Sequence, residues 1–480
     1  MPSRNGRLCL AGASLFLALV ACDEGTGCNN PTPTNPMPAN PCPTGVDDGA
    51  ISGRVLDNGY PLYGVSVDLT GGQSGQAMTD ADGAFSFPLV SSGDYTISIS
   101  GQPGSCQDTG GFSRTTTVTG GATSDVVVDV DCSSGWVQIS AGRATCALRS
   151  TNLGYCWGRG GDGALGNGQA PDKSRPSAVA TTTPFSQIEQ IFSSSCGLTS
   201  GGAAFCWGEN TTGGLGTGNL IDANTPQAVQ TTASLDRLGD GGCAIDDSGT
   251  GYCWGGNDSG QVGDGTTEDR SVPTVVAGGL SFAAIGHGER HGCGLTTGGA
   301  TYCWGDNQRG QLGQGSTGAP VTTPVEVTGA PDFVDLTVGR EFNCGVTGGG
   351  QIWCWGRNLD GQVGVTPSGD EPSPVRVGSG SSWTAVAAGS RHTCAIQGSQ
   401  AFCWGAGDQG QLGNGAFDDT STPTPVSGGL SFSQVSAGVD HSCGLVGGDA
   451  YCWGRNQNGE IGDGTETVRG VPTLVGPAPN

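Results

Sequence analysis

The run Cys303-Trp304-Gly305-Asp306-Asn307-Gln308-Arg309-Gly310-Gln311-Leu312-Gly313-Gln314-Gly315 decides the fold, because the chain repeats its frame seven times. Cys-Trp-Gly recurs at Cys156, Cys206, Cys253, Cys303, Cys354, Cys403 and Cys452, at intervals of 50, 47, 50, 51, 49 and 49 residues. Such a period, with several short strands per unit, predicts a β-propeller, in which each unit buries its sheet faces against its neighbours. The last unit shows the strands: 432–438, then Cys443-Gly444-Leu445, then Tyr451-Cys452-Trp453, then a fourth opening near Pro472. The position four residues past each cysteine holds only Asn (Asn210, Asn257, Asn307, Asn358, Asn456) or Gly (Gly160, Gly407). These residues tolerate positive φ, so a left-handed backbone is expected there in every unit.

Working outward, residues 1–22 carry Arg4 and Arg7, an apolar run from Leu8 to Ala21, and then Cys22. The run is too short to span a bilayer and stay, and reads as a signal peptide. Its end, Leu19-Val20-Ala21-Cys22, resembles the lipobox of bacterial lipoproteins. That resemblance implies lipidation of Cys22, cleavage before it, and attachment to a membrane of the cell envelope; an ordinary secretory leader cut near Ala21 is the alternative. Residues 23–48, rich in Asn, Pro, Thr and Gly, offer little to bury and are expected to form a flexible tether. From 49 to 132, runs such as Ile51-Ser52-Gly53-Arg54-Val55 and Tyr95-Thr96-Ile97-Ser98-Ile99 alternate with period two, which predicts an antiparallel sandwich.

Gly53-Arg54-Val55, Gly64-Val65, Thr79-Asp80-Ala81-Asp82-Gly83-Ala84-Phe85 and Gly93-Asp94-Tyr95, in that order, resemble the carboxypeptidase regulatory-like domain. The resemblance implies a transthyretin-like β-sandwich over 49–132. Asp80 and Asp82 read as turn residues, since a calcium loop needs more oxygens than these two supply. From Trp136 to about 476, Ala-Gly-x-x-His-x-Cys, Cys-Trp-Gly-x-Asn and Gly-Gln-Leu-Gly resemble the regulator-of-chromosome-condensation repeat. The expected fold class is therefore all-β: a transthyretin-like sandwich followed by a seven-bladed β-propeller. His291, His392 and His441 stand two residues before a cysteine, where Ala144, Ser194, Gly241 and Phe342 stand in the other units. A role absent from four of seven units is expected to be a local hydrogen bond.

Each Cys-Trp-Gly cysteine has an upstream partner: Cys146, Cys196, Cys243, Cys293, Cys344, Cys394 and Cys443, ten residues before it in the first five units and nine in the last two. Short turns between them place the pair opposite one another on a hairpin, within disulfide reach. Buried free thiols are the alternative; export favours disulfides. Cys106 and Cys132 are a further possible pair. One hairpin supplies only two ligands, so no zinc or other metal site is expected, and no cofactor.

The formal net charge of −24 repels phosphate backbones, so nucleic acid is not an expected partner. No nucleophile elbow, zinc signature or phosphate loop occurs, and no catalytic residue is assigned. The expected function is an envelope-anchored binding or scaffold protein whose propeller meets a protein or glycan. A polysaccharide hydrolase or lyase with carboxylates in the central funnel is the alternative. The even intervals leave no room for the long insertion that the family's nucleotide exchange would use. Between the glycine-rich loop and the fourth-strand proline the units share almost no sequence, so Glu268, Asp269, Asp370, Glu371, Asp418 and Asp419 are candidate binding residues.

Overall fold

The structure, a computed structural model, describes residues 48–477 apart from 105, 108–110 and 133. The expected leader, the tether and Cys22 lie outside the described residues, as do Cys28 and Cys42. Strands fall into nine sheets, two in an N-terminal sandwich and seven in a ring of four-stranded blades.

The sandwich is built from β1 (Gly49–Asp57), β2 (Tyr60–Pro61), β3 (Ser66–Gly71), β4 (Gly75–Met78), β5 (Ala84–Val90), β6 (Gly93–Ser100), β7 (Ser113–Val118) and β8 (Thr123–Val130). One sheet runs β4-β3-β6-β7; the other runs β2-β1-β5, with β8 also on β1. Alternation works as expected: Val55, Val67, Ile97 and Val128 meet in the core at 0% exposure, while Ser52 and Ser98 face outward. One strand departs from the expected antiparallel order. β8 runs parallel to β1, pairing Ala50 with Thr123 through Asp57 with Val130. It lies beyond the alternating runs that end at Ile99, and those runs gave no sign of it. Asp80 is a turn residue, as expected, its Oδ1 accepting from the Asp82 and Ala84 amides.

Each blade is a meander of four consecutive strands, as in Phe282–His287, His291–Thr296, Thr301–Asn307 and Gly318–Glu326. First strands line the axis and fourth strands form the outer edge. The Cys-Trp-Gly tryptophans sit between blades, all of them essentially buried. A buried indole N–H requires an acceptor, and the preceding blade's glycine-rich loop supplies a carbonyl: Trp304 donates to Gln261 O at 2.8 Å, Trp355 to Gln311 O at 3.0 Å, and Trp157 closes the ring onto Glu460 O at 3.0 Å. The glycine that ends Gly-Gln-Leu-Gly lies against that ring, and a Cβ on Gly413 would stand 2.6 Å from the Trp453 nitrogen.

The histidines strengthen the same seams. His291 Nε2 meets Asn343 Oδ1, His392 Nε2 meets Ser442 Oγ and His441 Nε2 meets Thr145 Oγ1, each at 2.8 Å and each in the next blade. Those partners in turn donate to the carbonyls of Gln311, Gln411 and Glu460. Burial pushes His291 down to about 4 and His392 to about 3, so both are neutral at pH 7.

Two local expectations are corrected. The Asn or Gly four residues past each cysteine is not left-handed: Gly160 has φ −98°, and none of the five asparagines has positive φ. The left-handed residue is the glycine of Cys-Trp-Gly itself, from Gly158 at φ 93° to Gly454 at φ 110°. Asparagine is used instead for its side chain. Asn257 Oδ1 accepts from the Val262 amide at 2.9 Å, and its Nδ2 donates to Glu268 O at 2.9 Å. Second, the proline does not open the fourth strand but lies within it, as Pro472 does in Arg469–Leu474. This is an outer edge strand with a register shift, where a missing N–H is tolerated.

The sandwich is docked on the first and last blades. Asp57 and Arg149 form a buried ion pair at 3.3 Å, and Lys173 meets Asp82 at 2.7 Å. Ala178 N donates to Ala81 O, and Tyr60 Oη to Val475 O.

Candidate functional site

The seven first strands enclose an axial cavity of about 130 Å³. Its wall comes from the ends of these strands and the residues just after them, including Ser140 and Ala141 in blade 1, Glu189 and Gln190 in blade 2, Asp240 in blade 3, and Thr337 and Val338 in blade 5. On the same strands, glutamine side chains outside the lining join adjacent blades. Gln138 donates to Ile188 O and accepts from Ile188 N, both at 2.9 Å, and Gln187 and Gln434 make the same two bonds to Leu238 and Ile139. An amide side chain carries a donor nitrogen and an acceptor oxygen, as a peptide unit does, so here it stands in for a stretch of strand.

Two carboxylates face this cavity, and neither has an ion-pair partner among the described residues. Glu189 accepts from Ser140 Oγ at 2.8 Å, Gln138 Nε2 at 3.0 Å and Gln187 Nε2 at 3.2 Å. Burial, with the Asp240 charge added, still pushes it up to about 7. Asp240, exposed toward the axial cavity, reaches from blade 3 to the Val338 amide of blade 5 at 3.3 Å, and desolvation inside the ring pushes it up to about 6. Burial also raises Asp335, on the first strand of blade 5. No group of three or more His, Cys, Asp or Glu side chains able to hold a metal occurs among the described residues. The sequence reading missed these acids. A register of the seven repeats would have found them, since Asp240 occupies the slot of Ala141, Gln190, His287, Val338, Ala388 and Ala437.

The six acids singled out on the loops divide in two. Asp269 Oδ1 accepts from the Asn257 amide at 2.8 Å, Asp370 from Asn358 at 3.3 Å and Asp419 from Gly407 at 2.9 Å. Asp172 and Asp222 hold Gly160 and Asn210 in the same way. In five blades an aspartate sixteen residues past the cysteine thus pins its own loop. That fixed spacing was the available signal, and it means the segment is less free than its variable sequence suggests. Glu268 and Asp418 are exposed and Glu371 is partly buried. These three are not brought together with one another in one cluster; they belong to blades 3, 6 and 5.

All fourteen blade cysteines lie at disulfide distance in the expected pairs, with Cα separations of 4.0–4.1 Å. The paired residues are direct cross-strand neighbours, as in Cys394 and Cys403. Cys106 and Cys132 form the eighth pair.

Comparison with known proteins gives the same architecture. The Regulator of chromosome condensation (RCC1) repeat matches residues 201–237, 248–295, 298–346, 349–396 and 399–445, and a second description of that repeat matches 282–311 and 333–362. The Carboxypeptidase regulatory-like domain matches 50–131. Yeast RCC1 (Prp20), in its complex with Kap60, is similar with a TM-score of 0.61 at 21% identity, over 67% of this chain and 83% of that one. Human WBSCR16 has a TM-score of 0.58 at 20% identity, over 65% of this chain and 87% of that one. No curated protein matches the sequence. At these identities the likeness concerns the fold.

Proposed function

Because the chain belongs to the proteins built on regulator of chromosome condensation repeats, with a carboxypeptidase regulatory-like domain ahead of its ring, we propose that it is a binding or scaffold protein of the cell envelope. In this reading a lipid on Cys22 holds it at a membrane, and the ring is presented to a protein or glycan partner. The observation that carries the reading is the set of eight disulfide-distance pairs among the described residues, which suits an oxidising, extracytoplasmic setting. The docked sandwich supports it, because a ring fixed to its neighbour by buried contacts is displayed in one orientation. Exposed Glu268 and Asp418 are the loop carboxylates best placed to meet a partner. Replacing Cys22 by Ser should release the protein from membranes or stall its processing. Unchanged fractionation with an unlipidated mature N-terminus would remove the anchor from the proposal.

One observation favours a second reading. A carboxyl raised to about 7 beside a second carboxylate is suited to general-acid work on a glycosidic bond, and Glu189 with Asp240 supplies that pair. Turnover of envelope polysaccharides by the full chain, abolished by Glu189→Gln, would favour the hydrolase; saturable binding without turnover favours the scaffold.

A further inference from the structure

A second cavity, of about 240 Å³, opens at the seam of blades 7 and 1. Arg143, Arg159 and Arg455 line it, with Asp440, Glu460 and His441. The lining carries three guanidinium groups against two carboxylates, one positive charge in excess, in a chain whose net charge is −24. His441 adds none, since burial holds its pKa below the usual value.

The excess arises at one pair of repeat positions, three residues before the first hairpin cysteine and three after the second. In blade 5 these hold Glu341 and Arg357, ion-paired at 2.9 Å. In blade 7 they hold Asp440 and Arg455, at 3.6 Å, and in blade 4 Arg290 and Asp306. In blade 1 both are arginines, Arg143 and Arg159. Neither has a carboxylate partner among the described residues, whereas Arg290, Arg340, Arg357 and Arg391 each have one at 2.6–2.9 Å. Arg143 donates only to Ser193 Oγ, at 3.0 Å, and Arg159 has no hydrogen bond or ion pair among the described residues. Arg455 Nε makes no hydrogen bond and stands 3.7 Å from Glu460 Oε1. Of the two acids, Asp440 is shared with Arg391 at 3.6 Å, and Glu460 accepts from Asn458 N at 2.9 Å and Nδ2 at 2.7 Å.

We propose that this seam pocket binds a singly charged oxyanion, a carboxylate or a sulfate monoester. Neighbouring guanidinium groups of like charge gain most when an anion lies between them, and their N–H forks suit planar or tetrahedral oxygens. One negative charge neutralises the lining, which a doubly charged phosphate would overshoot. The site adjoins the axial cavity at Gly142 and Val439 but has its own charged lining, and it does not depend on the membrane anchor.

Calorimetric titration of the oxidised full chain with glucuronate and with methyl sulfate, using glucose as the uncharged control, tests it. Saturable binding of at least one anion is expected, weakening with added salt, with no response to glucose. Tighter glucuronate identifies a carboxylate site, tighter methyl sulfate a sulfate site. The double variant Arg143→Gln/Arg159→Gln should lose affinity about tenfold or more, while Arg376→Gln, whose guanidinium bonds Ser379 O and Gly380 O elsewhere, should not. Both seam arginines are exposed, so the ligand-free double variant should melt no lower than the parent; Arg159→Glu serves as a second variant. Failure of both anions to bind the parent, or equal binding by the double variant, overturns the proposal.

Discussion

Replacing Arg149 by Met should loosen the join between sandwich and ring, by an amount that follows from what surrounds the guanidinium. Arg149 is 2% exposed and Asp57 0%. Besides the ion pair, Arg149 Nε donates to Ser134 Oγ at 2.8 Å and Nη2 to Ser134 O at 2.6 Å, and its Cζ lies 4.4 Å over the Tyr60 ring. Methionine keeps most of the stem and removes the charge. Asp57 is then left buried with neutral donors, the Cys132 amide at 3.0 Å, the Asn58 side-chain amide at 3.3 Å and the Ser134 hydroxyl. Breaking a buried pair from one side costs about 3–5 kcal/mol, and the lost cation–π contact about 0.5–2 kcal/mol. The three remaining donors offset part of this, so about 3–4 kcal/mol is expected for Arg149→Met. In Asp57→Asn/Arg149→Met no buried charge remains, and the oxygen of the introduced carboxamide can still accept from the Cys132 amide, so the cost should fall to about 1–2 kcal/mol. Native-state hydrogen exchange over Gly49–Asp57 and Trp136–Ala141 reads the local opening free energy on both sides of the join. If Arg149→Met lowers it by less than about 1 kcal/mol, or the double variant is no better than the single, the pair does not hold the two domains as argued.

Peptide mapping without reduction should find Cys394 joined to Cys403, and replacing both by Ser should cost about 2–3 kcal/mol, as closing a loop of this length predicts; free thiols would contradict the pairing. Glu189 is raised, so the folded chain binds its proton more tightly than the unfolded chain, and stability should fall as pH rises from about 4.5 to about 7. Glu189→Gln should therefore gain roughly 2–3 kcal/mol over the parent at pH 8 and little at pH 4, read by melting temperature; a pH-independent difference would rule out this cause. Asp222→Ala, which frees the Asn210 amide, should cost about 1–2 kcal/mol, against at most about 0.5 for Glu268→Ala; equal losses would mean the fixed-spacing aspartates pin nothing.

What the sequence made legible was local and repeated. The cysteine offsets fixed the hairpins because nine or ten residues leave few ways to bring two strands together. The same repetition misled where one residue type serves two purposes. Asparagine and glycine share a tolerance for positive φ, yet here Asn257 is used for its amide, and Gly160 because a Cβ would stand 2.3 Å from Pro171 O. The parallel partner of β1 was hidden because Thr123 lies more than seventy residues from Ala50, beyond any turn signal. Glu189, Asp240 and the Asp57–Arg149 pair escaped for a related reason: each breaks the repeat pattern or joins separate domains, and their partners are set by ring closure.

The disulfides have a topological consequence. Among the described residues every bonded pair closes its own short loop, with separations of 9 or 10 in the blades and 26 in the sandwich. None crosses from blade to blade, so the oxidised polypeptide remains covalently linear, a string of small closed links. A protease cut between two blades would separate the pieces under denaturing conditions with every bond intact. A force drawn along the chain could peel the ring open one blade at a time, each yielding most of its contour length and withholding only the few residues inside its link.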